Sequence, residues 1–243
     1  IQQNNSLRQT LTDKTMSQDY SDNTSTEEAN TIDDSETTIS EIKLSDKKIL
    51  ENTEAYSIDM TYPELSGYPD NSVQADFNDF VFYKVNGLAR ETRFGEANPG
   101  ATVNFVNSEY KVYYLSESYI SLIITSEVYS GGAHPNPVLM VINYDLENNK
   151  ELLLSDLFKG GSNYLTKISD TAKSYLESEF GEDFIESGAS ANVNNFKNFT
   201  FDKDNLYITF DAYQVGPYAF GTPIVEIVMD ELSSILSVDI KLQ

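Results

Sequence analysis

Strict alternation of apolar and polar residues first occurs near residue 56. The apolar positions there are Tyr56, Ile58, Met60 and Tyr62, and Pro63 follows them. Successive side chains of a strand point to opposite faces, so this pattern predicts a half-buried strand that Pro63 ends. The segment from Ile42 to Glu54 is transitional and is compatible with a short edge strand.

The apolar period changes to that of a helix after residue 71. Asn71 and Gln74 have the spacing of a capping box. The apolar residues that follow are Val73, Phe77, Phe80, Val81, Val85 and Leu88. They predict a helix of about five turns with one apolar face. A second stripe consists of Leu165, Ile168, Ala172, Tyr175, Leu176 and Phe180. It predicts another long helix, from about Asn163 to a stop at Gly181.

Strand-like runs account for most of the remaining chain. They cover residues 109–115, 119–129, 138–144, 199–201, 206–210 and 224–229. Residues 116–118 and 147–150 predict hairpin turns, because Asn148 and Asn149 tolerate positive φ. Short helical turns are expected near residues 155 and 230–236. This order lacks a repeated βαβ rhythm. It predicts an α+β fold with antiparallel sheets, each packed with a long helix, in two closely packed subdomains.

The first 40 residues differ in composition from the rest of the chain. Fourteen of them are Ser or Thr, and the apolar residues are few and scattered. Such a segment cannot bury enough apolar surface to offset its chain entropy. We therefore predict that residues 1–54 are a disordered acidic tether. Residues 55–129 would form a first α+β subdomain, and residues 130–243 a second.

The charge balance narrows the choice of partners. With 16 Lys and Arg against 39 Asp and Glu, the formal net charge is −23. This field repels nucleic-acid phosphates and anionic membranes and attracts a cationic partner, although an acidic surface can also serve solubility alone. No apolar run is long enough to span a membrane, so any anchor is expected upstream of Ile1. Cys is absent, which excludes disulfides, thiolate nucleophiles and Cys-bound metals.

The most distinctive segment is Tyr-Ser-Gly-Gly-Ala-His-Pro at residues 129–135. Gly131 and Gly132 permit backbone angles that other residues avoid, which predicts a tight bend. His134 is the one histidine of the chain. It could act as a general base or a metal ligand, but either role needs further groups, and no HExxH or Gly-x-Ser-x-Gly motif supplies them. We expect His134 and Pro135 to fix the bend, and we expect no catalytic residue, metal or cofactor.

A second candidate site lies at residues 211–221, where aromatic residues stand between Gly and Pro. Its side chains of interest are Tyr213, Pro217, Tyr218 and Phe220. Aromatic residues on a loop that a rigid scaffold holds make good recognition surfaces. The alternative is an aromatic plug that covers one end of the core. The sequence leaves both readings open.

Several segments together resemble the extracytoplasmic C-terminal domain of the anti-sigma factor RsiV. They are residues 131–135, 143–146, 150–152 and 154–158, and the similarity continues through 213–221 and 224–232. The unit from about Tyr56 to Tyr129 resembles the companion N-terminal domain of PdaC-type proteins. The pattern usually has Gly at the position of Asn149, and Asn is an adequate substitute for positive φ.

The resemblance implies a binding or sensing module at the bacterial cell envelope, outside the cytoplasm, and not an enzyme. In RsiV the equivalent domain is a receptor for lysozyme, a cationic protein, with which the charge of −23 is compatible. A peptidoglycan-binding accessory domain is the alternative, and an unrecognised hydrolase is a third reading. The residues that carry the resemblance include no PdaC catalytic domain and no sigma-binding segment. Deacetylation and sigma-factor control are therefore not implied.

Overall fold

The computed structural model describes residues 41–95 and 103–237, so the tether predicted for residues 1–40 lies outside the described residues. The strands are β1 (Lys43–Asn52), β2 (Tyr56–Ser66), β3 (Asn104–Leu115), β4 (Tyr119–Tyr129), β5 (Asn136–Asp145), β6 (Lys150–Glu151), β7 (Phe199–Phe201), β8 (Asn205–Thr209) and β9 (Ile224–Val228). The α-helices are α1 (Asn71–Phe94), α2 (Tyr164–Phe180) and α3 (Met229–Leu232). Among these residues, no helix is long and apolar enough to cross a membrane.

Two sheets confirm the predicted α+β class. One has six strands in the order β1 to β6, and the other has three in the order β7-β8-β9. All pairs are antiparallel except β2 and β3. These two are parallel because the chain returns through α1 between them, and a parallel pair needs such a crossover.

Helix α1 covers one face of the six-stranded sheet. Its buried stripe includes Phe77, Val81 and Val85, which pack against a core that contains Ile58 and Met60 of β2. The cap lies one residue earlier than predicted: the Asp70 side chain accepts bonds from the amides at positions 72 and 73. The helix also runs on to Phe94, beyond the five turns that the apolar stripe indicated.

The segment before residue 55 corrects the predicted extent of the tether. Residues Lys43–Asn52 form the edge strand β1, which pairs with β2 along its whole length. The expected end of β2 at Pro63 is also wrong, because β2 continues to Ser66. Pro63 is tolerated because β3 pairs with β2 only as far as Met60, so no ladder bond to that neighbour needs its missing N–H.

The second core lies between α2 and the three-stranded sheet. Ile168, Ala172 and Leu176 of α2 share it with residues of all three strands. Gly181 ends α2 as predicted, with φ of 54°. Tyr114 and Tyr119 of the six-stranded sheet belong to this second core, so the two cores adjoin closely.

The boundary expected between residues 129 and 130 cuts through the six-stranded sheet. Strands β4 and β5 lie on either side of it and pair from Tyr119↔Asp145 to Val128↔Asn136. The pairing continues to β6, so the three-stranded unit follows residue 151. The glycine-rich bend at residues 130–135 therefore lies inside the first unit, between two paired strands of one sheet.

Candidate binding site

The glycine-rich bend and the aromatic loop meet in the structure. The Tyr218 ring stacks on His134 with centroids 4.0 Å apart and an interplanar angle of 24°. The Tyr218 hydroxyl donates to the Pro135 carbonyl at 3.0 Å. Two segments that sequence patterns singled out separately therefore form one surface.

The bend has the backbone geometry that its glycines predict. Gly131 and Gly132 have φ of 105° and 115°, values that residues with a Cβ rarely adopt. The Tyr129 hydroxyl donates to the Gly132 carbonyl at 3.1 Å. Nδ1 of His134 lies 2.9 Å from the Pro135 carbonyl oxygen, a separation suited to donation from Nδ1–H. Both contacts lie within the bend itself.

Gln214 anchors the aromatic loop to the rest of its unit. Its side-chain nitrogen donates to the carbonyls of Gly188 and Asn195, both at 2.9 Å. Its side-chain oxygen accepts from the Asp211 amide at 3.0 Å. The Val215 carbonyl accepts from the amide of Ile185. The base of the loop is therefore held by four bonds, which leaves it little conformational freedom to lose on binding.

The aromatic loop has one side chain packed against a helix and another residue exposed to solvent. Phe220 stacks on Phe180 at the end of α2, with centroids 3.8 Å apart and planes 13° from parallel. A Cβ on Gly216 would run into the Phe220 ring, so the glycine allows this close packing. Phe220 is thus half-buried against the end of α2, while Pro217 is exposed to solvent.

Tyr213 is the most exposed aromatic side chain of this loop, at 58%. Its φ is 68°, in the left-handed region that bulky residues seldom occupy. Its ring lies 5.3 Å from that of Tyr218. Strain of this kind is concentrated at functional sites. This conformation was not predicted, because tyrosine is not a residue type that indicates positive φ.

A polar face of the six-stranded sheet begins next to the bend. Phe105 and Tyr129 are cross-strand partners, and their rings stack at 5.4 Å. Two residues further along β3 and β4, the partners Asn107 and Glu127 lie on the same face. This face contains a cleft of about 540 Å³. Its lining residues are Lys48, Asp59, Thr61, Asn107, Ser108, Glu109, Thr125 and Glu127. Another cleft, of about 810 Å³, lies elsewhere in the structure.

The carboxylates of this face are Asp59, Glu109 and Glu127. Among the described residues, none of the three has a basic side chain within ion-pair distance. Asp59 and Glu127 both neighbour Asn107, one on each side. This group of carboxylates was not predicted from the sequence, although polar residues alternate with apolar ones in parts of β3 and β4.

Asp145, Lys150 and Asp156 belong to segments that resemble RsiV, and they help to line the 810 Å³ cleft. Asp145 accepts bonds from the amide and the side chain of Asn148 at 2.9 and 2.8 Å. Asp156 accepts from the Leu153 amide at 3.0 Å. Both carboxylates therefore hold local turns. Within residues 41–95 and 103–237, no group of three His, Cys, Asp or Glu is placed to bind a metal.

The chain is a two-sheet α+β protein in which an aromatic loop of the second unit contacts the glycine-rich bend of the first. Residues 49–137 match the family model described as deacetylase PdaC. Residues 155–230 match the model described as a protein of unknown function, DUF3298. The chain therefore has a PdaC-type segment followed by a DUF3298 segment. The glycine-rich bend lies in the PdaC-type match, while the aromatic loop lies in the DUF3298 match.

Individual proteins that this chain resembles, in sequence or in fold, carry the same two family names. The chain is 25% identical over 185 residues to the peptidoglycan-N-acetylmuramic acid deacetylase PdaC of Bacillus subtilis. That alignment covers 72% of this chain and 39% of PdaC. A DUF3298 protein of Bacteroides fragilis has a similar fold, with a TM-score of 0.60 at 16% identity over 82% of this chain and 95% of that one. One from Pseudomonas aeruginosa gives 0.58 with the same identity and coverage.

Proposed function

We propose that this chain is a non-catalytic binding module at the bacterial cell envelope, outside the cytoplasm, and that it captures a cationic protein such as lysozyme. The observation that carries the proposal is Tyr213, an exposed aromatic side chain on a loop that Gln214 holds rigid. Rigid, exposed tyrosines are typical centres of protein recognition, because they bury much surface at little entropic cost.

The charge of the neighbouring surface supports a cationic partner. Asp59, Glu109 and Glu127 have no ion-pair partner among the described residues, and the whole chain has a net charge of −23. Such a field steers a basic protein toward the face before contact. The resemblance of residues 131–135 and 213–221 to RsiV supports the same class of partner.

A peptidoglycan-binding accessory role is the second candidate. It is favoured by the match of residues 49–137 to the PdaC family and by the similarity of the chain to PdaC of Bacillus subtilis, a peptidoglycan-N-acetylmuramic acid deacetylase. The chain spans 39% of that relative, so its deacetylase activity is not proposed here. Both candidates place the module at the cell wall and differ in the ligand.

Binding of a cationic lysozyme at two salt concentrations tests the proposal. The affinity should fall sharply between about 0.1 M and 1 M salt, because the Debye length shortens from about 10 Å to about 3 Å. Tyr213→Ala should cost about 2 kcal/mol or more of binding free energy, the usual threshold for a central contact. The matched control is Tyr83→Ala, which removes a tyrosine that is 81% exposed on α1 and should leave binding unchanged.

Tyr218→Ala tests binding and stability together. Tyr218 joins the loop to the bend, so its loss should lower both lysozyme affinity and the free energy of unfolding. Absence of lysozyme binding by the parent would refute the proposal, as would equal affinities of the Tyr213→Ala and Tyr83→Ala variants. Salt-independent binding to peptidoglycan, with none to lysozyme, would favour the second candidate.

A further inference from the structure

A separate cleft of about 310 Å³ lies where the two sheets meet. This volume is at the lower end of the range for small-molecule sites, roughly 300 to 1,000 Å³. Three of its six lining residues are tyrosines, and the full set is Lys111, Tyr113, Tyr175, Tyr207, Ile224 and Glu226. None of the six lines the other clefts described above.

A β-bulge directs Tyr113 into this cleft. The register of β3 on β4 passes from Val112↔Leu122 to Tyr114↔Ser121 and leaves Tyr113 outside the pairing. Bulges re-aim side chains and are frequent beside functional sites. The neighbouring Tyr114 enters the second core, while the Tyr113 ring lies 4.8 Å from that of Tyr207 on β8.

Tyr207 is held in place by its hydroxyl. It donates to Oδ2 of Asp202 at 2.8 Å and accepts from Nδ2 of Asn205 at 3.3 Å. Burial, and then the bond to Asp202, raise the pKa of the Tyr207 phenol, so the group stays neutral at ordinary pH. The ring is therefore fixed and uncharged before any ligand arrives.

The other residues that line the cleft are two exposed apolar side chains, one basic side chain and one acidic side chain. Tyr175 is 44% exposed and Ile224 is 45% exposed. The ammonium of Lys111 stands 4.3 Å from the centroid of the Tyr113 ring, and Glu226 lines the same cleft. A pair of opposite charges selects neither a cationic nor an anionic ligand. It suits a neutral molecule whose hydroxyl groups accept from the ammonium and donate to the carboxylate.

We propose that this cleft binds one pyranose ring of a neutral glycan. The C–H face of a pyranose is apolar and slightly positive, which complements the negative face of a tyrosine ring. The hydroxyl groups at the edge of the sugar match the charged side chains of Lys111 and Glu226. The site is distinct from the surface around Tyr213 and does not depend on capture of a cationic protein.

Titration of the whole chain with a soluble N-acetylglucosamine tetramer, followed by NMR, tests the proposal. The parent should bind with an affinity that is the same at low and high salt, because the ligand is neutral. Tyr175→Ala should weaken binding at least tenfold, and because this side chain is largely exposed, the melting temperature should stay close to that of the parent. Tyr213→Ala is the control and should bind as the parent does.

A parent that does not bind the tetramer overturns the proposal. So does a Tyr175→Ala variant that binds as tightly as the parent, or a loss of binding in Tyr213→Ala alone. If Tyr175→Ala weakens lysozyme binding while no variant binds the sugar, the cleft receives a protein side chain and the glycan assignment is wrong. Sugar binding without lysozyme binding refutes the proposed function and leaves this inference standing.

Discussion

Replacement of Asn143 by alanine should loosen the junction between the two sheets. Asn143 is 2% exposed and lies on β5 opposite Ser121 of β4. Its Oδ1 accepts from the Ser121 hydroxyl and its Nδ2 donates to the Phe199 carbonyl, both at 2.7 Å. The Ser121 oxygen in turn accepts from the Phe201 amide at 2.9 Å. Two side chains of the large sheet thus bind the backbone of β7.

The size of the loss in unfolding free energy follows from the buried polar groups that Asn143→Ala leaves without a partner. Without the amide, the Phe199 carbonyl loses its donor and the Ser121 hydroxyl loses its acceptor. An unsatisfied buried polar group costs about 1 to 3 kcal/mol. Since alanine also removes the cost of burying the amide itself, we expect a loss of about 2 to 4 kcal/mol in the free energy of unfolding. That is a large fraction of the roughly 5 to 15 kcal/mol that stabilises a typical domain.

Urea unfolding followed by circular dichroism measures this loss. The matched control is Asn136→Ala, which removes the same amide from the exposed first residue of β5. A double-mutant cycle with Ser121→Ala should give a coupling of about 0.5 to 3 kcal/mol, because the two side chains share one network. A loss for Asn143→Ala that matches the loss for Asn136→Ala would show that the junction does not depend on these bonds.

Three further predictions concern other parts of the chain. The hydrogen bond from Arg93 lowers the pKa of Glu51, so the pair stabilises the fold above the ordinary value of 4.5 and the effect is lost as the pH falls through the lowered pKa. The difference in unfolding free energy between the parent and Glu51→Gln should therefore shrink between pH 7 and pH 3, and a constant difference would contradict this. Gly216→Ala should lower the melting temperature by several degrees because its Cβ collides with an aromatic ring, whereas Gly160→Ala, with open space around it, should not. Limited proteolysis should give a stable core that starts within residues 41–56. Because β1 pairs with β2 from Lys43 onward, we expect the core to start at or before Lys43. Protection of sites before residue 34 would argue against a dispensable tether.

Local patterns predicted most of the elements correctly. A run rich in Tyr, Val and Ile and the hairpin turn at residues 116–118 located β4 at its observed bounds, and the apolar stripe located α2 up to Gly181. The errors occurred where a tertiary partner decides the outcome. Pro63 continues a strand because the pairing of β2 with β3 has already ended at Met60. The residues of β1 are mostly polar or charged and show little apolar alternation, yet the β1 backbone pairs with β2.

The candidate site was predicted in pieces and not as a whole. Both the bend and the loop were identified, because glycine, proline and aromatic residues indicate turns and recognition surfaces. Their contact joins Tyr218 to Pro135 across 83 positions, and no periodicity within either segment reports such a separation. The acidic sheet face was missed for the same reason, since Asp59 and Glu127 become neighbours of Asn107 only through strand pairing.

The conformation of Tyr213 bears on why this loop has its particular sequence. A non-glycine residue held in an unfavourable backbone region costs of order 1 to 3 kcal/mol. Glycine or asparagine at this position would relieve that cost, and because the tyrosine side chain is 58% exposed, little buried surface would be lost. The bonds of Gln214 to Gly188 and Asn195 hold the loop in this shape despite the strain. Stability alone does not account for a tyrosine here, whereas the proposed contact with a protein partner would, because the strained backbone leaves the ring exposed to solvent 5.3 Å from that of Tyr218.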